Sequence, residues 1–385
     1  MPIVLIAAVI GYYFLSQDKN TIPSIAVMYM EINESSDLQY FSSITEDLII
    51  DLAKNAPGLI KVSELKSVLK YKNTDLSTEE LAKSLDVEHI FTSNLTEHND
   101  GFNLKCRLIE ASTGMDKFIN RWYIPREKVQ TITTILVKNI LESLKIPLVR
   151  EIQRPTVFNP QAYELYLKGK NTYITSQSFN DIKLARDLLK KSFELDNSLI
   201  PALYKLAYSH YDEGEYDVAM ELATECLDQS MLIGDRHAIS DAHRLMGQIN
   251  NKKRNFDLAL DYFEKSLEIK KELSDKAGIA KGYNSIAIVN WRIKDFDGAL
   301  QNWMKAIDIA EELRDKQSIS YYQNNIGIYY HKKLFNYQKA LEYYNSSLDL
   351  KEYLGEERRI SKSRNNIGKL YFEIGDFEHA MEMFA

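Results

Sequence analysis

Cysteine is scarce in this chain of 385 residues, which contains only two, Cys106 and Cys226. Cys106 falls in an alternating apolar stretch, whereas Cys226 falls in a predicted helix of a different domain. A disulfide bond between them is therefore not expected, and we predict two buried thiols that pack as small hydrophobic side chains. Proline and glycine are also few, at 8 and 15 residues, which leaves the chain free to form long helices.

The sequence also lacks the features of nucleic-acid binding and of catalysis. Its 48 basic and 55 acidic residues give a net charge of −7 without a concentrated basic segment, so nucleic acid is not an expected partner. The seven histidines are scattered without the spacing of metal ligands, and no phosphate-binding glycine loop or Gly-x-Ser-x-Gly motif occurs. We predict a non-enzymatic protein that needs no cofactor and no metal.

One long apolar run is present, at residues 2–15. As a helix it would be about 21 Å long, whereas the bilayer core is about 30 Å thick. It has neither the basic start nor the small-residue cleavage site of a signal peptide. We predict that residues 1–20 form an apolar membrane-anchor helix, a partial transmembrane span with Tyr12 and Tyr13 at the interface. A signal sequence and a buried soluble segment are the alternatives.

Residues 22–146 carry the pattern of an α+β domain with a mixed sheet. Strands are predicted at 23–30, 59–62, 89–97, 102–111 and 115–124, and the main helices at 38–55, 77–85 and 126–144. Ser77 and Glu80 form a capping box, and Asn99-Asp-Gly101 is a hairpin turn in which glycine supplies the positive φ. Alternation places Phe102, Leu104, Cys106 and Leu108 on one strand face.

A repeat with a period of 40 residues is the clearest pattern in the second half of the chain. Four segments superimpose: 236–275, 276–315, 316–356 (with one extra residue) and 357–385. A small residue recurs at Gly247, Ala287, Gly327 and Gly368, and another at Ala259, Ala299, Ala340 and Ala380. An aromatic residue stands three places before the second position, at Phe256, Phe296, Tyr337 and Phe377. The register extends back to Ala207 and Ala219, after a more diverged unit.

This spacing describes a helical hairpin whose helices approach closely where both residues are small, with the aromatic side chain at the turn. One such hairpin leaves an apolar face uncovered, so neighbouring hairpins must stack. The pattern resembles the tetratricopeptide-repeat family in a form with extended helices. The resemblance implies an all-α solenoid of about six repeats over residues 160–385, the last truncated, after a linker at 147–159.

The resemblance also implies that the first helix of every repeat lines a concave face. Residues three before and four after the small residue lie almost two helical turns apart and share one face. The first column reads Tyr204, Arg244, Asn284, Asn324 and Asn365, and the second reads Tyr211, Asn251, Trp291, His331 and Phe372. Asparagine amides can hydrogen-bond an extended peptide backbone, and aromatic rings supply contact area at low entropy cost. The predicted partner-binding residues are Arg244, Asn284, Trp291, Asn324, His331, Asn365 and Phe372.

A structural interpretation of the same columns stays open: the asparagines bond each other between repeats and the aromatic rings only pack. The carboxylate clamp of some tetratricopeptide domains is not indicated, because that clamp requires Lys and Asn at set positions. The residue after the small position is instead Gln248, Ile288, Ile328 or Lys369.

Residues 22–146 resemble a second family on their spread of short matches, at 25–28, 41–49, 81–90 and 107–114. They are similar to the TolB amino-terminal-like domain, which precedes tetratricopeptide repeats in bacterial membrane proteins, notably class III adenylate and guanylate cyclases. The chain departs from the family at Thr92-Ser93-Asn94, and no functional residue is carried over. The resemblance implies a sensing or docking module.

Two functions are therefore predicted. The first is a membrane-tethered interaction scaffold whose repeats bind a protein or peptide, with the soluble part extracytoplasmic (periplasmic). The second is the sensory or regulatory portion of a larger signalling enzyme, such as a membrane-bound cyclase whose catalytic domain precedes residue 1.

Overall fold

The computed structural model describes residues 22–32, 36–63, 65–72, 74–147, 159–355 and 357–384. It divides into two compact units, of which the first ends at Ala238 and the second begins at Ile239. The apolar helix predicted at residues 1–20, and most of the linker predicted at 147–159, lie outside the described residues. Within the described residues, no helix has both the length and the apolar character needed to cross a bilayer.

The first unit opens with a mixed sheet. Its strands in the described residues are β1 Ser24–Val27, β2 Glu31–Ile32, β3 Lys61–Val62, β4 His89–His98, β5 Gly101–Glu110 and β6 Asp116–Pro125. β1 pairs in parallel with β3 and β4, and β2 pairs in parallel with β4. The pairs β4–β5 and β5–β6 are antiparallel, so the order is β3-β1-β4-β5-β6. The predicted mixed sheet is confirmed, with β2 as a short strand that the sequence did not indicate.

In the described part of the chain up to residue 147, four α-helices accompany the sheet: α1 Ile44–Asn55, α2 Leu65–Leu69, α3 Thr78–Leu85 and α4 Ile132–Ser143. The helix predicted from residue 38 instead begins as a 3₁₀ helix at Ser36–Ser43, and Arg126–Thr131 likewise precedes α4. One cause is local, because the Ser43 hydroxyl donates to the carbonyl of Tyr40 at 2.7 Å and so competes with α-helical bonding. The predicted capping box at Ser77 and Glu80 is present at the start of α3.

The turn between β4 and β5 differs from the prediction in one respect. Asn99, and not Gly101, adopts the left-handed conformation, with φ of 53°. Asparagine enters this region more readily than most residues because its short polar side chain can bond locally. Gly101 begins β5, where an added Cβ would lie 2.5 Å from the carbonyl oxygen of Ile124 in β6. Close approach of the neighbouring strand therefore accounts for this glycine.

The two faces of the sheet are covered differently. Ile25 and Val27 belong to the main core, as do the predicted inward residues Phe102, Leu104, Cys106 and Leu108. Ala26 and Met28 point the other way and pack against a smaller cluster with α2 and α3. That second face is open near β6, where Ile119 and Tyr123 are 50% and 45% exposed.

Both cysteines are free and buried, which confirms the prediction that they pack as small hydrophobic side chains. Burial raises the pKa of the Cys106 thiol to about 12. The thiol therefore stays protonated at neutral pH and is a poor nucleophile.

The core of the first unit continues into its helical hairpins. These are formed by α5 Pro160–Ile174, α6 Phe179–Leu195, α7 Ile200–Asp212 and α8 Tyr216–Ile233. Tyr163, Tyr166 and Leu167 of α5 share one hydrophobic cluster with residues of α1 and α4. The Lys170 side chain is fully buried beside them and ion-pairs with Asp47 at 2.7 Å and with Glu46 at 3.1 Å. The α+β fold and the first hairpin are thus one packed body.

The second unit continues the series of hairpins. Its helices are α9 Arg236–Lys252 (which spans the division between the units), α10 Phe256–Glu272, α11 Lys276–Arg292, α12 Phe296–Glu312, α13 Lys316–Lys332, α14 Tyr337–Tyr353, α15 Glu357–Glu373 and α16 Phe377–Phe384. Six hairpins thus occupy the described residues between 159 and 384, and the predicted fold of sheet domain followed by helical solenoid is confirmed.

Three turns of the second unit end in an aspartate that caps the following helix. Asp275, Asp295 and Asp315 each cap a helix by accepting a bond from the backbone amide three residues later. The residue before each aspartate, at Ser274, Lys294 and Arg314, has positive φ. The junctions Leu-Ser-Asp-Lys and Leu-Arg-Asp-Lys thus mark helix starts because their aspartate side chains satisfy unpaired amides.

Candidate functional site

In three hairpins of the second unit, a glycine of the first helix contacts an aromatic ring of the second helix. An added Cβ at Gly247 would lie 2.7 Å from the ring of Phe263, and one at Gly327 would lie 2.6 Å from that of Tyr344. Gly368 meets Phe384 in the same way. The small residue in the first helix therefore makes room for a ring from the second helix.

Sequence reasoning missed this aromatic column, which reads Phe263, Trp303, Tyr344 and Phe384. Its members stand four residues after the second small residue, so the same comparison of repeats could have found them. The aromatic residues that the prediction placed at the turn, such as Phe256 and Phe296, are the first residues of α10 and α12.

The predicted columns lie on the first helices of the hairpins. We call the surface of α11, α13 and α15 that carries the following residues the first-helix face: Lys281, Asn284, Ile288, Trp291, Arg292; Tyr321, Asn324, Ile328, His331, Lys332; Lys362, Asn365, Lys369, Phe372, Glu373. In α9, Arg244 and Asn251 occupy the two column positions, and both are half-buried.

The asparagines form a ladder between successive first helices. Asn325 Nδ2 donates to Asn284 Oδ1 at 3.2 Å, and Asn366 Nδ2 donates to Asn324 Oδ1 at 3.1 Å. Trp303 Nε1 also donates to Asn284 Oδ1, at 3.2 Å. Asparagine bonds between repeats, as in the structural interpretation, are therefore present. Their donors are Asn325 and Asn366, which each follow a column asparagine by one residue.

In the ladder, the side-chain oxygen of a column asparagine accepts a hydrogen bond, and this bond fixes the direction of its NH2 group. Asn284 and Asn324 are half-buried, and their Oδ1 atoms are the ones engaged. Each amide nitrogen carries two hydrogens, so Nδ2 remains able to donate to an incoming carbonyl. Asn365, the last of the column, is exposed.

The aromatic column is only partly presented at the surface. Phe372 is 60% exposed and meets Phe377 edge-on at 5.4 Å between ring centroids. Trp291 is half-buried, with its ring 4.9 Å from that of Phe296. Both rings are supported by the aromatic residue that starts the second helix, which limits their motion.

His331 is buried, unlike the other predicted contact residues of the first-helix face. Its side chain is 1% exposed, with Nε2 3.0 Å from Glu373 Oε2 and Nδ1 3.3 Å from the Tyr344 hydroxyl. Burial lowers the pKa of the His331 imidazole below its ordinary value, against the smaller opposing effect of Glu373. Both ring nitrogens are engaged within the protein, so this residue joins repeats and does not present its ring at the surface.

Further polar bonds join first helices near their carboxyl ends. Arg292 Nη1 donates to the backbone oxygen of Asn251 at 2.9 Å and to its Oδ1 at 3.0 Å. Lys332 ion-pairs with Glu373 one repeat later. The predicted column residue Asn251 is thus held by the next repeat.

In the first unit the column positions form an aromatic stripe on α7. The rings of Tyr204 and Tyr208 are stacked 6.3 Å apart, and Tyr211 lies 5.7 Å from Tyr208. Tyr211 also contacts Tyr216 at 6.0 Å across the turn to α8.

A cavity of about 630 Å³ opens on another side of the second unit. Its lining includes Leu267 and Lys271 of α10 and Tyr283, Ile286 and Asn290 of α11. The α11 residues here are turned by roughly 130° around the helix from Asn284, Ile288 and Trp291, at 100° per residue. The cavity is therefore not part of the first-helix face.

Among the described residues, no three His, Cys, Asp or Glu side chains are grouped as ligands of a metal ion would be.

Comparison with known families matches the helical region. Tetratricopeptide repeats are matched at residues 198–272, 278–352 and 361–385. This identifies the repeats of both units over these ranges. No curated protein was found to match the chain.

Solved structures with helical repeats resemble the chain at low sequence identity. A signal-transduction ATPase with a tetratricopeptide repeat sensor, from Pyrococcus horikoshii, is 15% identical, with a TM-score of 0.50 over 67% of this chain and 38% of that one. A Rap protein complexed with competence and sporulation factor is 19% identical over 66% and 69%, at a TM-score of 0.49. BtubC from P. vanneervenii is 18% identical over 58% of this chain and 86% of that one, with a TM-score of 0.44. The similarity to the signal-transduction ATPase supports the helical-repeat fold and nothing about function.

Proposed function

Because residues 198–272, 278–352 and 361–385 are tetratricopeptide repeats, we propose that the protein is a non-catalytic scaffold that binds a partner polypeptide on the first-helix face. The asparagine ladder carries the proposal. It fixes Asn284 and Asn324 through Oδ1 and leaves their amide donors in successive repeats. An extended polypeptide offers backbone carbonyls that such donors can bind.

The rings beside the ladder support the same assignment. Trp291 and Phe372 are held by Phe296 and Phe377, so little side-chain entropy is lost when a partner packs on them. Ile288 and Ile328 stand between the two columns and are half-buried. Donors flanked by apolar side chains suit a polypeptide better than a small polar ligand.

The test is capture of a partner from membrane extract by the full chain, followed by titration of the identified partner. Asn284, Asn324 and Asn365 are changed together to Ala. We expect affinity to fall by roughly tenfold or more, because each lost hydrogen bond contributes about 1 kcal/mol.

The matched control is the double variant Asn325→Ala and Asn366→Ala. It breaks the same ladder bonds from the donor side but keeps the column amides. Retained binding in this control, with binding lost in the triple variant, supports recognition by the columns. Equal loss in both, or no loss in either, makes the asparagines structural.

Membrane tethering is a separate part of the proposal and rests on the apolar run at residues 2–15. A chain without these residues should leave the membrane fraction, and a protease added from the periplasmic side should cleave the full-length chain. Equal distribution of both chains between membrane and soluble fractions would contradict the tether.

The second candidate, the sensory portion of a larger signalling enzyme, is favoured by the joint core of the first unit. Lys170 and the α5 tyrosines attach the first hairpin firmly to the sheet domain. Movement of that hairpin would therefore carry the sheet domain with it. An in-frame cyclase domain upstream of Met1 in the genome supports this candidate, and a stop codon there excludes it.

A further inference from the structure

The mixed sheet of the first unit has a free edge at β6. This strand is the last in the order β3-β1-β4-β5-β6, and in the described residues it pairs with β5 alone. The amide of Arg126 donates to the carbonyl of Asp100 at 3.1 Å, so this pair and every second pair after it along the two strands are hydrogen-bonded. The backbone N–H and C=O groups of Ile119, Arg121 and Tyr123 therefore point away from β5, toward the free edge.

Two positive charges stand side by side next to that edge. Lys105 of β5 and Arg121 of β6 are partners in a pair without hydrogen bonds, which brings their Cα atoms to about 4.5 Å from each other. Both side chains are exposed and lie on the second face of the sheet, away from the main core. Like charges placed directly opposite each other on neighbouring strands are destabilising.

Of the four cations on β5 and β6, the other two are neutralised. Arg107 pairs with Asp116 at 2.9 Å, and Lys117 pairs with Glu110 at 3.2 Å. In the part of the chain that the structure describes, neither member of the charge pair takes part in an ion pair or a side-chain hydrogen bond. A bound anion would therefore relieve a repulsion that no carboxylate of these two strands relieves.

Apolar side chains flank the charge pair along β6. Ile119 and Tyr123 stand two residues before and two residues after Arg121 on the same face, and they are 50% and 45% exposed. The edge thus presents an apolar, a cationic and again an apolar side chain, in register with three sets of free backbone groups. A strand that reads apolar, acidic, apolar at every second residue complements this row.

A second copy of β6 does not supply that complement. Alternation places Lys117, Ile119, Arg121 and Tyr123 on the second face, so the row contains no carboxylate. Pairing of two β6 edges would set Arg121 against a cation or an uncharged side chain. Because a cation on an edge strand also discourages pairing with uncharged strands, the charge selects an acidic partner.

We propose that β6 binds an acidic, extended segment of another protein by strand addition at its free edge. A glutamate or aspartate of the added strand stands opposite Arg121, with Lys105 one strand further in. The residues two before and two after the acidic one pack on Ile119 and Tyr123. This surface belongs to the sheet domain, and its assignment does not depend on the first-helix face.

The experiment measures binding of fluorescent peptides to the full chain by anisotropy, at low and at physiological salt. The first peptide reads Thr-Val-Thr-Glu-Thr-Val-Thr, and the second carries Gln in place of Glu. We expect the Glu peptide to bind about tenfold more tightly than the Gln peptide, because a charge-assisted contact is stronger than a neutral one. The affinity of the Glu peptide should fall as salt rises. Equal affinity of the two peptides would overturn the proposal.

Charge reversal on the protein localises the site. In the double variant Lys105→Glu and Arg121→Glu, a third peptide with Lys in place of Glu should bind more tightly than the Glu peptide. The matched control is Lys138→Glu and Lys190→Glu, at exposed positions of α4 and α6. It makes the same change in net charge and should alter the affinity of the Glu peptide less than about twofold. Circular dichroism checks that both variants are folded, and equal weakening by both would overturn the proposal.

Backbone methylation of the peptide tests strand addition itself. One version of the Glu peptide is N-methylated at its Val and Glu residues, and another at its Thr residues. Because alternate amides of a strand point to opposite edges, only one of the two versions should lose binding to β6. Equal behaviour of the two versions would overturn strand addition.

A membrane surface is the competing source of negative charge. Vesicles that contain phosphatidylserine are therefore mixed with the unchanged chain and with the double variant Lys105→Glu and Arg121→Glu. Vesicle capture that this variant abolishes, without binding of the Glu peptide, would overturn the proposal and assign the face to anionic lipid.

Discussion

Gly327 shows how a single missing side chain sets the geometry of a hairpin. The ring of Tyr344 in α14 fills the place where a Cβ on residue 327 of α13 would stand. Glycine costs helix stability in the middle of α13, by about 1 kcal/mol relative to alanine. The close approach of the ring therefore offsets a local preference against glycine.

Gly327→Ala should destabilise the protein by about 1–3 kcal/mol, because the new methyl group collides with the Tyr344 ring and forces it from its position. The measurement is thermal unfolding by circular dichroism. Ala287 holds the equivalent buried position in α11, and Ala287→Gly, which removes only a methyl group, should cost about 1 kcal/mol. A rise in stability of Gly327→Ala would show that the ring moves away without cost.

His331 should make the second unit sensitive to mild acid. Its folded-state pKa is lowered from the ordinary 6.5 by burial, with Glu373, Lys332 and Tyr344 as its polar neighbours. The unfolded chain then binds a proton where the folded chain does not, so stability is lost as pH falls below about 6.5. Between pH 7.5 and 5.5 the loss of thermal stability should be smaller in His331→Gln than in the unchanged protein.

His379 provides the control for that measurement. Its pKa is raised by the hydrogen bond to Asp376, so its contribution is present at low pH and is lost as pH rises. His379→Gln should therefore leave the acid sensitivity in place or increase it. Equal pH dependence in all three proteins would rule out His331 as the sensitive group.

At the scale of elements, α5 is attached to the sheet domain through a buried ionic cluster. Burial acts to lower the pKa of the Lys170 amine, but the carboxylates of Asp47 and Glu46 raise it above its ordinary value. The amine also donates to the carbonyl of Ser43 at 2.9 Å. The cation is therefore held between α1 and the 3₁₀ helix before it.

Lys170→Met should destabilise the first unit by about 3–5 kcal/mol, because it leaves two carboxylates without their buried cation. Hydrogen exchange of the α1 and α5 amides measures this locally. Lys190→Met removes a lysine of α6 whose weak pair with Glu194 is exposed, and it should change exchange little. Unchanged protection of α1 in Lys170→Met would mean that the apolar contacts alone hold α5.

Helices and long strands were predictable because their signals are local and periodic. The 40-residue repeat, the capping box at Ser77 and the inward face of β5 follow from spacing alone. The short β2, the role of Gly101 and the burial of Lys170 depend on neighbours distant in sequence, which spacing does not reveal. Of the predicted columns, the Asn and Phe372 positions reach the surface, whereas His331 does not, because Tyr344 and Glu373 enclose it.

At the scale of the whole molecule, the chain joins a mixed-sheet domain to a series of tetratricopeptide repeats. The joint core explains why the first hairpin is attached to the sheet domain, and the repeated bonds explain how the later ones stack. Basic residues outnumber acidic ones in α11, α13 and α15, and acidic residues outnumber basic ones in α10, α12 and α14. These features together support a scaffold that holds another polypeptide.

Site-specific photocrosslinking locates the bound partner on the surface of the second unit. A photoreactive residue is placed at Ile288 or Ile328 on the first-helix face, or at exposed Met304 of α12 as the control. We expect a partner bound to the first-helix face to crosslink from positions 288 and 328 and not from 304. Crosslinks from 304 alone would place the partner on the second helices and contradict it.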